Sequence, residues 1–557
     1  MYRDLESIQQ ARDLAAAAHA AFQKFEQFTE EHVERILEEM SKAGVANAER
    51  LARLAVEETG YGTVEHKTLK NLFCAQNVYN AIRPLKTVGI VNEDHEKKVF
   101  EVASPIGVIA AIVPSTNPTS TAIYKALITL KGRNVIVFSP HPSASRCINE
   151  TCRVLAQAAE RAGAPSGVIS CMNAPTLEGT DALMKHPHTA LILATGGAGL
   201  VKAAYSAGKP AFGVGPGNVP AYIEQTADVR KAVADILTGK TFDNGTLCSS
   251  EQSVVCDAPV RDAVLGELKK QGAYICSESE KTLLENTIQT PRGTLNTRIV
   301  GQSAEKIAHM AGFVVPAGTR AIVAHAGGVG NDHPISMEKL SPLLGFFVVK
   351  DWKEGCEKCI EILNFGGLGH TLGLHTRDEN VVREFGLKKP AFRICVNTPA
   401  ALGAVGYTTN LFPSMTLGCG AQGNNITSDN ISPLHLINLK RVAYGVRDAA
   451  AAPAVTTGAA GRRGVIEQVV DQWLGARTPD SPGEGAPRPT APPLSSYRDL
   501  EPASPPKAPA SFVCEEDVRA AIQERSTIVV GKRTIITPLA RELGEAHDVF
   551  VRAESAT

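Results

Sequence analysis

The sequence predicts an α/β protein built on parallel sheets, followed by a separate accessory tail. Three observations carry that reading. From about residue 100 to 420, short apolar runs alternate with helical segments, the pattern of strands joined by crossover helices that cover both faces of a parallel sheet. Hydrophobic residues make up 43% of the 557 and charged residues 21%, enough apolar surface for several cores. Near residue 448 the composition turns sharply to Ala, Gly, Thr and Pro, which marks the end of the packed body.

Taken in order, residues 1 to about 60 read as helices, with Gly44 and Gly60 as stops. The runs GVIAAIVP, NVIVFSP, GVISCM and TALILAT read as strands, with helical stretches such as CINETCRVLAQAAERAGAP between them. A second alternating region spans about 251–420. The stretches 448–461 and 475–511 read as extended linkers around a short island, RRGVIEQVVDQWLGAR. The tail, about 512–550, reads as helix, short strand, turn, strand, helix, with Thr537-Pro538 opening the last helix.

Composition excludes several classes. Lys+Arg 57 against Asp+Glu 58 gives a net charge of −1, so no basic excess attracts nucleic acid or an anionic membrane. No apolar stretch approaches the length of a membrane span, and the charged N-terminus does not read as a secretory peptide. The 12 cysteines are scattered, which suits a reducing cytoplasm. Cys356 and Cys359 form a CxxC without partners to complete a zinc site, so they read as two thiols one helical turn apart, and no metal is expected.

Four stretches could carry chemistry. In TFDNGTLCSSEQ, Cys248 follows a polar, Gly-containing turn; a helix starting behind it would stabilise its thiolate through backbone N–H groups and the helix dipole. In VPSTNPT, Asn117 follows a strand's C-terminal end, where parallel sheets bind ligands, and could donate to a developing oxyanion. Two Gly-rich loops, ATGGAG and GVGPGNVP, could admit a nucleotide phosphate. Neither has GxGxxG spacing, and tight turns account equally for their glycines.

In combination and in this order, GVIAAIVPSTNPTSTAIYKALITLKGRNVIVFSPHPSA, ALILATGGAGLVKAAYSAGKPAFGVGPGNVPAYI, KTFDNGTLCSSEQSVV, EKLSPLLGFFVVKDW, NFGGLGHTLGLHT and PSMTLGCGAQGNNITSDNISPLHLINLKRVAYG resemble the aldehyde dehydrogenase superfamily. They are most similar to its CoA-acylating branch, and the resemblance covers about 5–447. It implies a Rossmann-type cofactor domain at 1–240, with oligomerisation strands at about 93–106. A catalytic domain at 241–420 and an oligomerisation arm at 421–447 follow. It implies that Cys248 is the nucleophile and Asn117 the oxyanion-hole amide. Glu338 would hold the nicotinamide ribose, and Thr195, Gly196 and Gly197 would lie near the phosphates and nicotinamide. Ser139, Pro140 and His141 would meet the adenosine end. Ser115, Thr116, Val214, Gly215 and Leu340 complete the implied cofactor contacts.

Two departures from hydrolytic members matter. FSPHP replaces the segment whose Lys and Glu contact the adenosine ribose. Val214 stands where those members carry a general-base glutamate, and without a carboxylate nothing there activates water. The resemblance therefore implies a thiol acceptor: a short aldehyde such as acetaldehyde or propionaldehyde, CoA and NAD (NADP left open) give acyl-CoA and NADH through a cysteinyl thioester. Rivals are a hydrolytic aldehyde dehydrogenase, an acyl-phosphate reductase of the same fold and a non-catalytic assembly subunit. The segments EDHEKKVFEVASP and NITSDNISPLHLINLKRVAYG resemble the family's oligomerisation arm and imply a homodimer or tetramer. In the island, Ile466, Val469, Val470, Trp473 and Leu474 share one helical face opposite Glu467, Gln468 and Asp471. Residues 465–474 thus resemble an encapsulation peptide docking on a microcompartment shell, which would place the protein inside a bacterial microcompartment; the alternative is that the helix packs on its own enzyme body. No catalytic role is expected of 512–557.

Overall fold

The computed structural model describes residues 3–447 and 510–552, apart from 525 and 548. The chain divides into two compact units, Met1–Ala449 and Ala450–Thr557. Residues 448–509, with the island at 465–474, lie outside the described residues.

In the first unit, all four runs read as strands after residue 100 form strands of one sheet. Five parallel strands lie in the order Ile169–Cys171, Val135–Pro140, Val108–Val113, Thr189–Thr195, Ala211–Val214. The chain starts in the middle strand, Val108–Val113, and builds outward in both directions. Its C-terminal end beside that of Thr189–Thr195 is therefore a switch point, where such sheets open a crevice. The helix Pro118–Lys131 crosses one face with every residue buried. Its Lys125 donates 2.8 Å hydrogen bonds to the carbonyls of Ile112 and Leu193, one from each strand flanking the switch point. Burial pushes that lysine down to about 7.

A second sheet has seven parallel strands in the order Ala273–Ile275, Ala321–His325, Leu343–Val349, Glu251–Asp257, Val219–Ile223, Gly369–His375, Ala391–Val396. Its central strands are buried on both faces, so their side chains divide by alternation. Ala221, Val254, Cys256 and Phe346 enter one core, while Tyr222, Val255, Phe347 and Val349 enter another. Because Val219–Ile223 pairs within this sheet, the boundary between the lobes falls near Gly217 rather than at 240. A third, antiparallel sheet joins Gly89–Asp94, Val99–Pro105 and Ile437–Ala443. The strand of the expected 421–447 arm is confined to Ile437–Ala443; Ile431 and Leu436 are buried in the main core instead.

Two further expectations change. The helix Glu30–Ala46 runs through Gly44, whose missing side chain lets the backbone approach Ala75; a Cβ there would stand 3.0 Å from that of Ala75. Gly60 does end its helix, at φ +68. The second unit is strand, helix, strand, helix, strand: Ala510–Val513, Glu515–Gln523, Ile528–Ile536, Pro538–Ala546, Phe550–Arg552. Its three strands are parallel, and in place of two strands joined by a turn there is one strand, Ile528–Ile536, whose pairing shifts register: Ala510 pairs with Val530 and Phe512 with Ile535. The final helix does open at Thr537-Pro538. Val513, Val518 and Ala540 form its core. Cys356 and Cys359 are both buried on the helix Trp352–Phe365. Among the described residues, no group of His, Cys, Asp or Glu could hold a metal ion, and no helix is long and apolar enough to cross a membrane.

Replacing Gly44 by Val should lower the thermal midpoint, at a cost of about 1–3 kcal/mol for overpacking, while leaving cofactor affinity unchanged. Calorimetry and NADH titration of the purified variant check both.

Candidate active site

The switch point, together with loops that precede strands of the second sheet, encloses a cleft of about 680 Å³. Every residue singled out from the sequence lines it: Ser115, Thr116, Asn117, Ser139, Pro140, His141, Thr195, Gly196, Gly197, Val214, Gly215, Cys248, Glu338 and Leu340. The lining is otherwise mostly apolar or hydroxylic, with Glu338 its one carboxylate. Val214 is buried in that wall, at the end of its strand and paired with Thr195.

The cleft suits a dinucleotide. Gly197 caps the eight-residue helix Ala198–Tyr205. A Cβ added at Gly197 or Gly215 would meet nothing within 4 Å, so backbone there is open to a ligand. The buried Thr195 hydroxyl has no hydrogen-bond partner. At the far end, the Ser139 and Thr180 hydroxyls lie 2.7 Å apart, and His141 Nδ1 accepts from the Ser143 N–H at 3.2 Å.

Cys248 does not precede a helix. It follows the turn Phe242–Gly245 and precedes the strand Glu251–Asp257, so the helix expected behind it does not form. Burial pushes its thiol up to about 12; Glu338 and Cys419 add to the rise and Arg393 opposes it. Burial likewise raises Glu338 to about 7, against a 2.9 Å hydrogen bond from the Gly217 N–H and the charges of Lys240 and Lys339. Asn117 is 8% exposed at the start of the helix Pro118–Lys131. Its Nδ2 donates at 3.2 Å to the carbonyl of Thr246, two residues before Cys248.

Four groups escaped the sequence reading. Asp243 is fully buried, at φ +50, and Asn244 and Gly245 are also left-handed, so the nucleophile's loop is a strained turn. The Asp243 carboxylate pairs with Lys67 at 2.9 Å and with Lys70, and accepts from the Thr63 N–H at 2.9 Å and the Thr246 hydroxyl at 2.6 Å. Burial alone would raise this carboxyl; Lys70 and Lys67 override it and hold it at about 2. Burial pushes Lys70 down to about 8 against the pull of Asp243. His370 is the fourth. Its ring is buried, burial pushes it down to about 3, and its Nε2 has no partner. A Cβ on Gly217 would stand 2.2 Å from the Cys248 carbonyl and 3.1 Å from His370 Cγ, so only glycine fits between them. The motif GLGHTLGLHT displayed His370, but nothing in its spacing linked it to Cys248.

Comparison with known proteins agrees with this geometry. The profile of the aldehyde dehydrogenase family matches residues 5–307, more than half of the chain. The chain belongs to the aldehyde dehydrogenase family. It is 45% identical over 442 residues to a bifunctional aldehyde-alcohol dehydrogenase of Escherichia coli, covering 78% of this chain and 50% of that one. The chain thus spans about half the length of that relative. Among solved structures, an acetylating aldehyde dehydrogenase from Geobacillus thermoglucosidasius is 53% identical with a TM-score of 0.79, over 80% of this chain and 98% of that one. A propionaldehyde dehydrogenase from the Clostridium phytofermentans fucose utilisation bacterial microcompartment is 30% identical with a TM-score of 0.71, over 78% and 97%. The family resemblance and the fold expected from the sequence both hold.

Asp243→Asn should unpair two buried lysines and cost about 3–5 kcal/mol at neutral pH. The Asp243 pKa is depressed in the folded chain, so its contribution is complete above the unfolded value of about 3.9. It is lost as pH falls toward about 2. Midpoints of the wild type should therefore fall more steeply between pH 4 and 2 than those of the variant.

Proposed function

We propose that the chain is an NAD-dependent, CoA-acylating aldehyde dehydrogenase acting on a short aldehyde such as acetaldehyde or propionaldehyde. The observation that carries this reading is the wall of the cleft at Val214. Cys248 and Asn117 line the same cleft, yet the position of a hydrolytic base holds a buried aliphatic side chain. The acetylating name of one relative supports the same reading.

The Cys248 sulfur adds to the aldehyde carbonyl after losing its proton. Glu338, the one carboxylate lining the cleft, is the group proposed to accept that proton. Asn117 Nδ2 exchanges its bond to Thr246 for one to the oxyanion, worth about 3–4 kcal/mol for one good donor. Bound NAD supplies the hydride acceptor, held by Glu338 at the ribose and by Thr195, Gly196 and Gly197 near the phosphates. The cysteinyl thioester then passes its acyl group to the CoA sulfur, and Cys248 recovers a proton. The sum is RCHO + CoA-SH + NAD⁺ giving RCO–S–CoA + NADH + H⁺, reversible because thioester replaces thioester. NADP remains open, since FSPHP brings neither a carboxylate nor a lysine to the adenosine end.

We also propose that the chain assembles as a dimer or tetramer through 93–106 and 437–443. Ile437–Ala443 is largely exposed and pairs with Val99–Pro105 alone among the described strands, an edge that a second copy would protect. Segment 465–474 would deliver it to a bacterial microcompartment; the apolar face read from its sequence and the microcompartment origin of one relative support this. No separate role is proposed for 512–557.

NADH formation from propionaldehyde should require CoA, and Cys248→Ser should abolish it while NADH binding persists. Equal steady-state rates with and without CoA would sink the acylating reading. The double change Val470→Glu and Leu474→Glu should leave soluble activity intact and abolish recruitment to a shell, scored by co-purification with intact compartments.

A further inference from the structure

Lys70 and Asp243 are buried, charged and unused in the reaction described above, yet both lie within two contacts of its reacting atoms. Lys70 sits on the helix Val64–Leu72 and Asp243 in the Cys248 turn, 173 residues apart. We infer that Lys70 is a positioning residue of the oxyanion site: its ammonium holds the Asn117 amide in the orientation that presents Nδ2 to the Cys248 loop, and Asp243 anchors Lys70 in place.

The geometry leaves the amide one choice. Lys70 Nζ donates to Asn117 Oδ1 at 2.6 Å. An ammonium has three donors and no acceptor, so the amide oxygen must face it, and a flipped amide would set N–H against N–H. With Oδ1 fixed, Nδ2 faces the other way, to the Thr246 carbonyl and the Thr116 hydroxyl, both at 3.2 Å. Those two bonds lie at the long end of the range and are the ones an oxyanion would replace. A cation on the carbonyl side also polarises the amide and strengthens its N–H as a donor.

The anchor is equally specific. Asp243 binds Lys70 and Lys67 on successive turns of the same helix. Lys67 reaches the Thr116 carbonyl at 3.0 Å, beside Asn117. Gly62, at φ +72, leaves the space the carboxylate occupies: a Cβ there would lie 1.9 Å from Oδ1. Two lysines against one carboxylate leave one positive charge in excess, behind the amide that would receive a negative oxygen.

This inference rests on the proposed aldehyde oxidation, so the test separates the two. Wild type, Lys70→Met, Asn117→Ala and the double variant of the full chain are assayed for CoA-dependent propionaldehyde oxidation, NADH affinity and thermal midpoint. If the wild type makes no NADH with CoA, the proposed function fails, whatever the variants do. With wild-type activity established, Asn117→Ala should lower kcat about 10²–10³-fold. Lys70→Met should lower it roughly 10–100-fold, as for a lost bond to a charged group, with NADH affinity unchanged. The double variant should be no slower than Asn117→Ala alone, because Lys70 acts only through that amide. Losses that multiply in the double variant would overturn the proposal, as would a Lys70→Met enzyme with full kcat or with NADH affinity lost in proportion. Lys70→Arg, which keeps the cation, should recover most of the kcat lost in Lys70→Met; no recovery would overturn it as well.

Discussion

One carboxylate, Asp243, joins the parts of the molecule that must meet for chemistry. It lies in the turn that carries Cys248, and it is bound by two lysines from a helix near the N-terminus. Those lysines in turn hold Thr116 and Asn117, at the end of a strand in the other sheet. Buried ion pairs are costly to desolvate and contribute little net stability compared with an apolar core. Their value here is geometric. Removing Asp243 leaves two buried ammonium groups without their carboxylate, so the relative placement of the Cys248 turn, the Asn117 amide and the switch-point loop tolerates little drift. The left-handed backbone at Asp243, Asn244 and Gly245 is a cost that this pairing offsets.

The cleft beyond that anchor is notable for the scarcity of charge. Glu338 is its only carboxylate among the lining residues, and burial has moved it to about 7. The same burial keeps the Cys248 thiol protonated at ordinary pH. A thiol held neutral in this way is protected from adventitious oxidants, because reactivity follows thiolate character. The backbone of Gly217 separates the Cys248 carbonyl from the His370 ring, which brings a neutral imidazole close to Cys248.

Much of this was legible in the sequence, and the failures share a cause. Buried parallel strands announce themselves as short apolar runs, so GVIAAIVP, NVIVFSP and TALILAT needed no tertiary information. Cys248, Asn117 and the glycine loops stood out because each is unusual in its own neighbourhood. Lys67, Lys70 and Asp243 did not, because lysines on a helix resemble a solvated face until the partner from 173 residues away is in place. Gly44 was misread for the same reason. A glycine that ends a helix and one that admits a neighbouring backbone look alike until Ala75 is seen against it. The helix expected after Cys248 failed because Ser-Ser-Glu-Gln suits a cap, while Ser253–Asp257 must pair between two other strands. Tertiary pairing overrode local propensity.

On the proposed reaction, an aliphatic side chain at Val214 in place of a base would bear on the direction of the chemistry. A cysteinyl thioester flanked by a carboxylate and water is short-lived, and its hydrolysis makes aldehyde oxidation effectively one-way. With an aliphatic wall in that place, the intermediate's fate is set by which nucleophile enters the cleft. A thiol exchanges with it at little change in free energy, so flux follows the ratios of aldehyde to acyl-thioester and of oxidised to reduced cofactor. The same apolar wall that excludes a base also lowers the local dielectric, which strengthens the Asn117 hydrogen bond to a developing oxyanion in either direction. Withholding water and stabilising the oxyanion would therefore be two effects of one feature, the burial of uncharged side chains around Cys248, while the positive charge that would support the oxyanion lies behind the amide, at Lys70.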